Sequence, residues 1–158
     1  MTTIINEAVA GLTTSDHVVK SGVKVMVSED TLFTAVGSVQ ILSLVSECVT
    51  ANDITASTLL WKFTTSAAVP LTTNLSSAST SLASVVSGYA LAMTNAAALG
   101  EAPTQRDSGV LLNTASRGVR IPSGAVKITV GVGSTTGTWV HYVRYEPLEP
   151  GAYMIANQ

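Results

Sequence analysis

The stretch Ala125-Val126-Lys127-Ile128-Thr129-Val130-Gly131-Val132 decides the fold class. Val126, Ile128, Val130 and Val132 alternate without error against Ala125, Lys127, Thr129 and Gly131, the two-residue period of a strand with one face inward. The same period recurs outward from it. Leu59, Trp61 and Phe63 face away from Thr58, Leu60, Lys62 and Thr64, with Trp61 as core anchor, and Trp139, His141, Val143 and Tyr145 share one face of a strand over 138–145. Pro147 and Pro150 end that strand, because proline has no amide hydrogen for a ladder. The loop Gly133-Ser134-Thr135-Thr136-Gly137 between the last two runs reads as a hairpin connection.

Further upstream, Val23, Val25 and Val27 alternate with Lys24, Met26 and Ser28 as a first strand, and Thr31 to Ala35 reads as a second. Gly37 then breaks the pattern before a long β-rich run from Ser38 to Thr50. There Ile41, Leu42, Leu44 and Val45 put apolar groups on both faces, as in a strand central to a sandwich or covered by a neighbouring subunit. After the turn Ala51-Asn52-Asp53, the Ser/Thr/Ala-rich stretch from Ser66 to Ser87 has weak periodicity, with short strands expected around Leu71 to Leu75 and Val85 to Met93. Residues 94–100 read as an Ala-rich helical turn stopped by Gly100, and 101–109 as a polar loop. Short strands are expected at Val110 to Asn113 and Gly118 to Ile121, then a Pro122-Ser123-Gly124 turn. Eight or so short strands with Gly/Pro turns predict an all-β fold: an antiparallel β-sandwich or jelly-roll-like barrel with extended terminal arms.

The domain organisation follows from that pattern: an N-terminal arm over 1–20, a β-sandwich domain over 21–150 and a C-terminal tail over 151–158. Ile4, Ile5, Ala8, Val9 and Leu12 give the first arm an apolar side, and Tyr153, Met154 and Ile155 carry apolar groups past the last turn. These termini, with Leu42 and Leu44 of the long strand, are the candidate interface. Packing on the domain's own edge is the competing use of either terminus.

Composition points the same way. Of 158 residues only 11% are charged, against about 25% in ordinary globular domains, and about a quarter are Ser or Thr. Mean hydropathy is +0.40 and the net charge is −2. A surface so poor in charge suits self-association or docking better than a free monomer. Eight Lys and Arg against ten Asp and Glu, scattered rather than clustered with aromatics, argue against nucleic acid as a partner. The lack of a long apolar run argues against a membrane span, and the absence of a basic, apolar leader suggests synthesis and folding in a cytoplasm. Cys48 is the one cysteine, which excludes an intrachain disulfide and leaves a buried strand thiol as its reading.

Candidate chemistry is sparse. Ser15-Asp16-His17 superficially suggests a hydrolase, yet adjacent residues on an extended chain point in opposite directions and cannot line up as nucleophile, base and orienter. Glu29-Asp30 and the Glu146 and Glu149 pair sit beside turns, with neither the separation across a cleft that glycoside hydrolysis requires nor the six oxygens that calcium requires. The loop at 133–138 lacks the lysine and following helix of a phosphate loop. Trp61, Trp139, Tyr142 and Tyr145 are the candidates for a sugar-stacking face, with core burial the better reading for Trp61. No catalytic residue, metal or cofactor is expected, and the chain reads as non-enzymatic.

The segments Thr31-Leu32-Phe33-Thr34, Gly37 to Val45 and Ile121-Pro122-Ser123-Gly124, with Gly137 to Ala152, resemble a group of small tailed-bacteriophage virion proteins. That resemblance covers the strand near residue 40 and the last third of the chain. It implies a capsid decoration, or cement, protein on the surface of the virion: a homo-oligomer, trimer favoured, partnered with the major capsid protein and bridging its neighbouring subunits. A tail, baseplate or head-fibre component, including a glycan-binding adhesion module, is the competing implication.

Overall fold

The computed structural model describes residues 16–26, 28–93, 104–106, 118–133 and 136–158. Among them there are twelve strands and no helix. The strands are β1 (His17–Lys20), β2 (Lys24–Val25), β3 (Glu29–Val36), β4 (Val39–Thr50), β5 (Thr58–Thr65) and β6 (Thr72–Asn74). They continue as β7 (Ala90–Ala92), β8 (Thr104–Arg106), β9 (Val119–Ile121), β10 (Gly124–Gly131), β11 (Thr138–Pro147) and β12 (Tyr153–Ala156).

Two antiparallel sheets form. One runs β1-β11-β4-β7-β8, with β2 continuing β1 along β11 and β9 lying beside β4 at the other end from β7; the second runs β12-β3-β10-β5-β6. The pairing is nested: β1 with β11, β3 with β10, β4 with β7 and β9, β5 with β6. A ribbon folded back on itself and then rolled gives that nesting, so the sandwich has jelly-roll winding. Among the described strands, the connections β2–β3, β3–β4, β4–β5, β6–β7, β9–β10, β10–β11 and β11–β12 cross from one sheet to the other.

The core fills the space between the sheets. Leu59, Trp61 and Phe63 of β5 face Val39, Ile41, Leu44 and Trp139 across it, and Trp61, Trp139, Phe33 and Ile41 are wholly buried. β5 and β10 pair without a register slip from Gly124 opposite Thr65 to Gly131 opposite Thr58, and burial alternates from Thr58 to Thr64 and along β10. β4 does not. Its register against β11 slips at Leu42, between Ile41 opposite Tyr145 and Ser43 opposite Arg144. The extra residue of this bulge resets the phase, which is how Ile41 and Leu44, three apart, both point into the core. A similar slip at Leu32 buries the adjacent Leu32 and Phe33 together.

Several expectations are corrected. The loop at 133–137 is not a hairpin: β10 lies in the five-stranded sheet and β11 in the other, and five residues are ample to span the roughly 10 Å between stacked sheets. Only Lys24–Val25 of the proposed first strand pairs, and Val23 and Val25 are exposed. His17–Lys20 lies within the segment assigned to the N-terminal arm, yet it forms β1, bonded to β11. The C-terminal segment is likewise no free tail, since β12 completes its own sheet against β3. Within the stretch read as a polar loop, Thr104–Arg106 pairs with β7 as β8. The helical turn at 94–100 and the strand at 110–113 lie outside the described residues.

The Ser/Thr-rich middle has a physical role that its weak periodicity hides. Ser76 and Ser79 hydroxyls accept the backbone amides of Trp61 and Leu59 at 3.1 and 3.0 Å, while the Leu75 and Ser79 amides donate to the carbonyls of Trp61 and Leu59. Hydroxyls here replace strand carbonyls along the edge of β5, closing it against further pairing. Leu75, Leu82 and Val85 from the same stretch plug that end of the core.

Candidate interaction surface

The outer face of the five-stranded sheet divides into two ends. At one, Lys127 is paired with Glu29 (3.0 Å) and lies opposite Lys62. At the other, register sets Ile155, Thr34, Ala125, Thr64 and Thr72 in one row across all five strands, with Tyr153 beside Val36 in the next. None of these is charged.

The small side chain of Ala125 between the β-branched Thr34 and Thr64 leaves a trough. It forms a depression of about 530 Å3 whose walls include Val36, Pro70 and Ser123, with Lys127 at its charged margin. The threonines direct their hydroxyls into the sheet's own contacts: Thr34 donates to Asn157 Oδ1 at 2.9 Å, and Thr64 and Thr72 hydroxyls lie 3.0 Å apart. Around the depression Val36, Tyr153 and Ile155 are 39, 46 and 50% exposed. Val69 and Leu71, which flank Pro70 in the β5–β6 connection, are more exposed still. Adjacent uncovered apolar groups beside an uncharged depression make this end the candidate interaction surface.

The outer face of the other sheet is built differently. Lys20, Tyr142, Arg144, Glu146 and Glu47 alternate along its strands; Arg144 is ion-paired with Asp16, Tyr142 donates to Glu47, and Lys20 lies over the Tyr142 ring. Charges of both signs interleave there, as on an ordinary solvent face.

The sequence-predicted interface residues separate accordingly. Tyr153 and Ile155 fall on the uncharged end, one strand from Val36. Leu44 and Met154 point into the core, 1 and 4% exposed, and offer no surface in this chain; Leu42 is half-buried at the bulge. Ile4, Ile5, Ala8, Val9 and Leu12 lie outside the described residues. Val36, Ala125 and Pro70 escaped sequence reasoning, because a residue's outward neighbours are known only when strand order is known. The available signal was the lack of charge at positions 34, 36, 64 and 125.

Elsewhere the polar groups are structural. His141 is 1% exposed; its Nδ1 lies 2.7 Å from the Ser46 hydroxyl, its amide donates to Ser21 Oγ at 2.9 Å, and its Nε2 has no partner among the described residues. Burial, with the Lys24 ammonium as a second cause, pulls its pKa down to about 3, so the imidazole is neutral. Asn52 accepts from Trp139 Nε1 at 3.0 Å and donates to the Leu82 carbonyl at 2.9 Å, tying the Ser/Thr-rich stretch to the core. Both tryptophans are fully buried, which removes Trp61 and Trp139 from any sugar-stacking face. Of the carboxylates weighed as chemistry, Asp30 pairs with Lys24 across the two sheets (3.3 Å) and Glu149 accepts the Ser38 amide. Hydrogen bonding to Lys127 and Arg144 holds the Glu29 and Asp16 carboxyls below their ordinary range. Among the described residues no three His, Cys, Asp or Glu side chains cluster as metal ligands.

No family model and no curated protein matches this chain. Among solved structures, a chain from the structure of infectious bursal disease virus Gx strain is similar at a TM-score of 0.28 and 11% identity, over 91% of this chain and 39% of that one. A likeness so slight carries no argument about function.

Proposed function

We propose that this chain is a non-enzymatic structural protein of a tailed-bacteriophage particle, a decoration or cement protein that bridges neighbouring capsid subunits and works as a homotrimer. The observation that carries a docking role is the uncharged end of the five-stranded sheet, where Val36, Tyr153 and Ile155 stand uncovered beside the depression floored by Ala125. The phage assignment is supported by the resemblance of residues 31–34, 37–45, 121–124 and 137–152 to small virion proteins. At about 25 cal/mol per Å2, covering three half-exposed apolar side chains and the trough contributes several kcal/mol to an interface. The same surface would serve a tail or baseplate component, which differs in number per particle.

Copy number therefore tests the proposal. In purified particles of the source, the chain should be present in numbers comparable to the major shell protein. A handful of copies would assign it to the tail or a fibre, and its absence would refute the virion role.

A further inference from the structure

The depression and the lysines at its margin stand at a fixed spacing. Ala125 lies opposite Thr64 on the outer face, and two residues further along the same two strands Lys127 lies opposite Lys62. Two residues of strand rise about 7 Å. An uncharged row and a lysine row are therefore parallel neighbours, and Lys127 itself closes one side of the depression.

The lysine row carries surplus positive charge. Lys127 is paired with Glu29, whereas Lys62 has no ion pair among the described residues and faces Asn74 on β6. Hydrogen bonding to Lys127 is the main cause of the lowered Glu29 pKa and the Lys62 charge adds to it, so two ammoniums draw on one carboxylate. No residue lining the depression is acidic. Glu149, beside Gly37 beyond Val36, is held by the Ser38 amide. On the uncharged row the Thr34 and Thr64 hydroxyls are engaged sideways, with Asn157 and Thr72, so the floor suits an apolar side chain better than a polar one.

We propose that this surface receives an extended segment of a partner protein that seats an apolar side chain in the Ala125 depression and sets a carboxylate, two residues away, on Lys62. Side chains two apart on an extended chain point the same way about 7 Å from each other, which is the distance between the two rows. The inference rests on the docking reading above and names the chemistry of what docks.

Amide NMR of the full chain, labelled with nitrogen-15, tests it at low ionic strength. The probe is the peptide acetyl-Thr-Asp-Thr-Leu-Thr-Asp-Thr-amide, with an acid on either side of leucine so that both chain directions are served. It should shift Thr34, Thr64 and Ala125 together with Lys62. A peptide with lysine for both aspartates should bind at least about fivefold more weakly, and Lys62→Gln should bring that ratio below about twofold. Serine for leucine should abolish the shifts at Ala125. Equal binding of the acidic and basic peptides, or no shift at several millimolar, would overturn the proposal. So would the same shifts with inorganic phosphate alone, which mark a simple anion site, or with rising concentration of the chain itself, which mark a second copy as the occupant. Copy number in particles is read separately, so an abundant virion protein with no preference for the acidic peptide sinks this inference and leaves the docking role standing.

Discussion

The two outer faces of this sandwich are made by the same strand geometry and meet water on different terms. On the seven-stranded side Lys20, Arg144, Glu47 and Glu146 occupy outward positions; Arg144 pairs with Asp16, Lys20 lies over the Tyr142 ring and Glu47 accepts from the Tyr142 hydroxyl. On the five-stranded side one end repeats that design with Lys127 and Glu29, and the other sets Thr, Ala, Val, Tyr and Ile outward over five strands. Since strands of either sheet tolerate outward lysine, the lack of charge at one end is not forced by the fold. It is the feature on which the proposed docking role rests.

A charge placed on each face gives the largest expected contrast. Ile155→Lys combined with Val36→Lys should lower the copy number in particles at least about tenfold, because an apolar interface must then desolvate an ammonium. Val18→Lys on the other face should leave it within about twofold. Neither change should move the melting temperature by more than about 2 °C, as all three sites are exposed.

Interior substitutions should do the reverse and so sharpen the division. Asn52→Ala orphans both the Trp139 indole N–H and the Leu82 carbonyl, costing about 2–4 kcal/mol in denaturant unfolding. His141 gives a pH signature. Its folded pKa, about 3, lies below the value near 6.5 of an unfolded histidine, so the fold favours the neutral ring. That stability is whole above pH 6.5 and is lost as pH falls from there toward 3, by about 1.4 kcal/mol per unit. His141→Gln should flatten this slope relative to the parent chain when unfolding free energy is followed from pH 7 to 4. The smallest effect belongs to the charged end of the five-stranded sheet. Lys127→Ala removes an exposed ion pair and should change stability by less than about 0.5 kcal/mol, with Glu29 titrating nearer its ordinary range by NMR.

How far the sequence could be read depends on the range of the interaction that shapes each part. β5, β10 and β11 were legible because alternate burial is a local property, and Trp61, Ile128 and His141 lie where their spacing puts them. The phase of β4 was not, since the bulge at Leu42 is defined only against β11, some 100 residues away in the chain. The loop at 133–137 has hairpin chemistry but joins two sheets, because local turn residues do not choose a strand's partner. Gly37 was visible as a break; its φ of +75° and the closeness of Ala152, 2.9 Å from where a side-chain carbon would stand, emerged only with the tertiary fold. Of the interface candidates, Tyr153 and Ile155 stand on the patch, while Leu44 and Met154 are spent on the core. Apolar character alone cannot separate a residue that faces a partner from one that faces inward.

Hydroxyl-radical footprinting compares the two faces in one experiment, because Tyr153 lies on the uncharged end and Tyr142 on the charged face. The isolated chain and purified particles are exposed side by side and the modification of each tyrosine is measured. The account predicts that Tyr153 is protected at least about fivefold in the particle while Tyr142 changes by less than twofold. Equal reactivity of Tyr153 in both samples would contradict it.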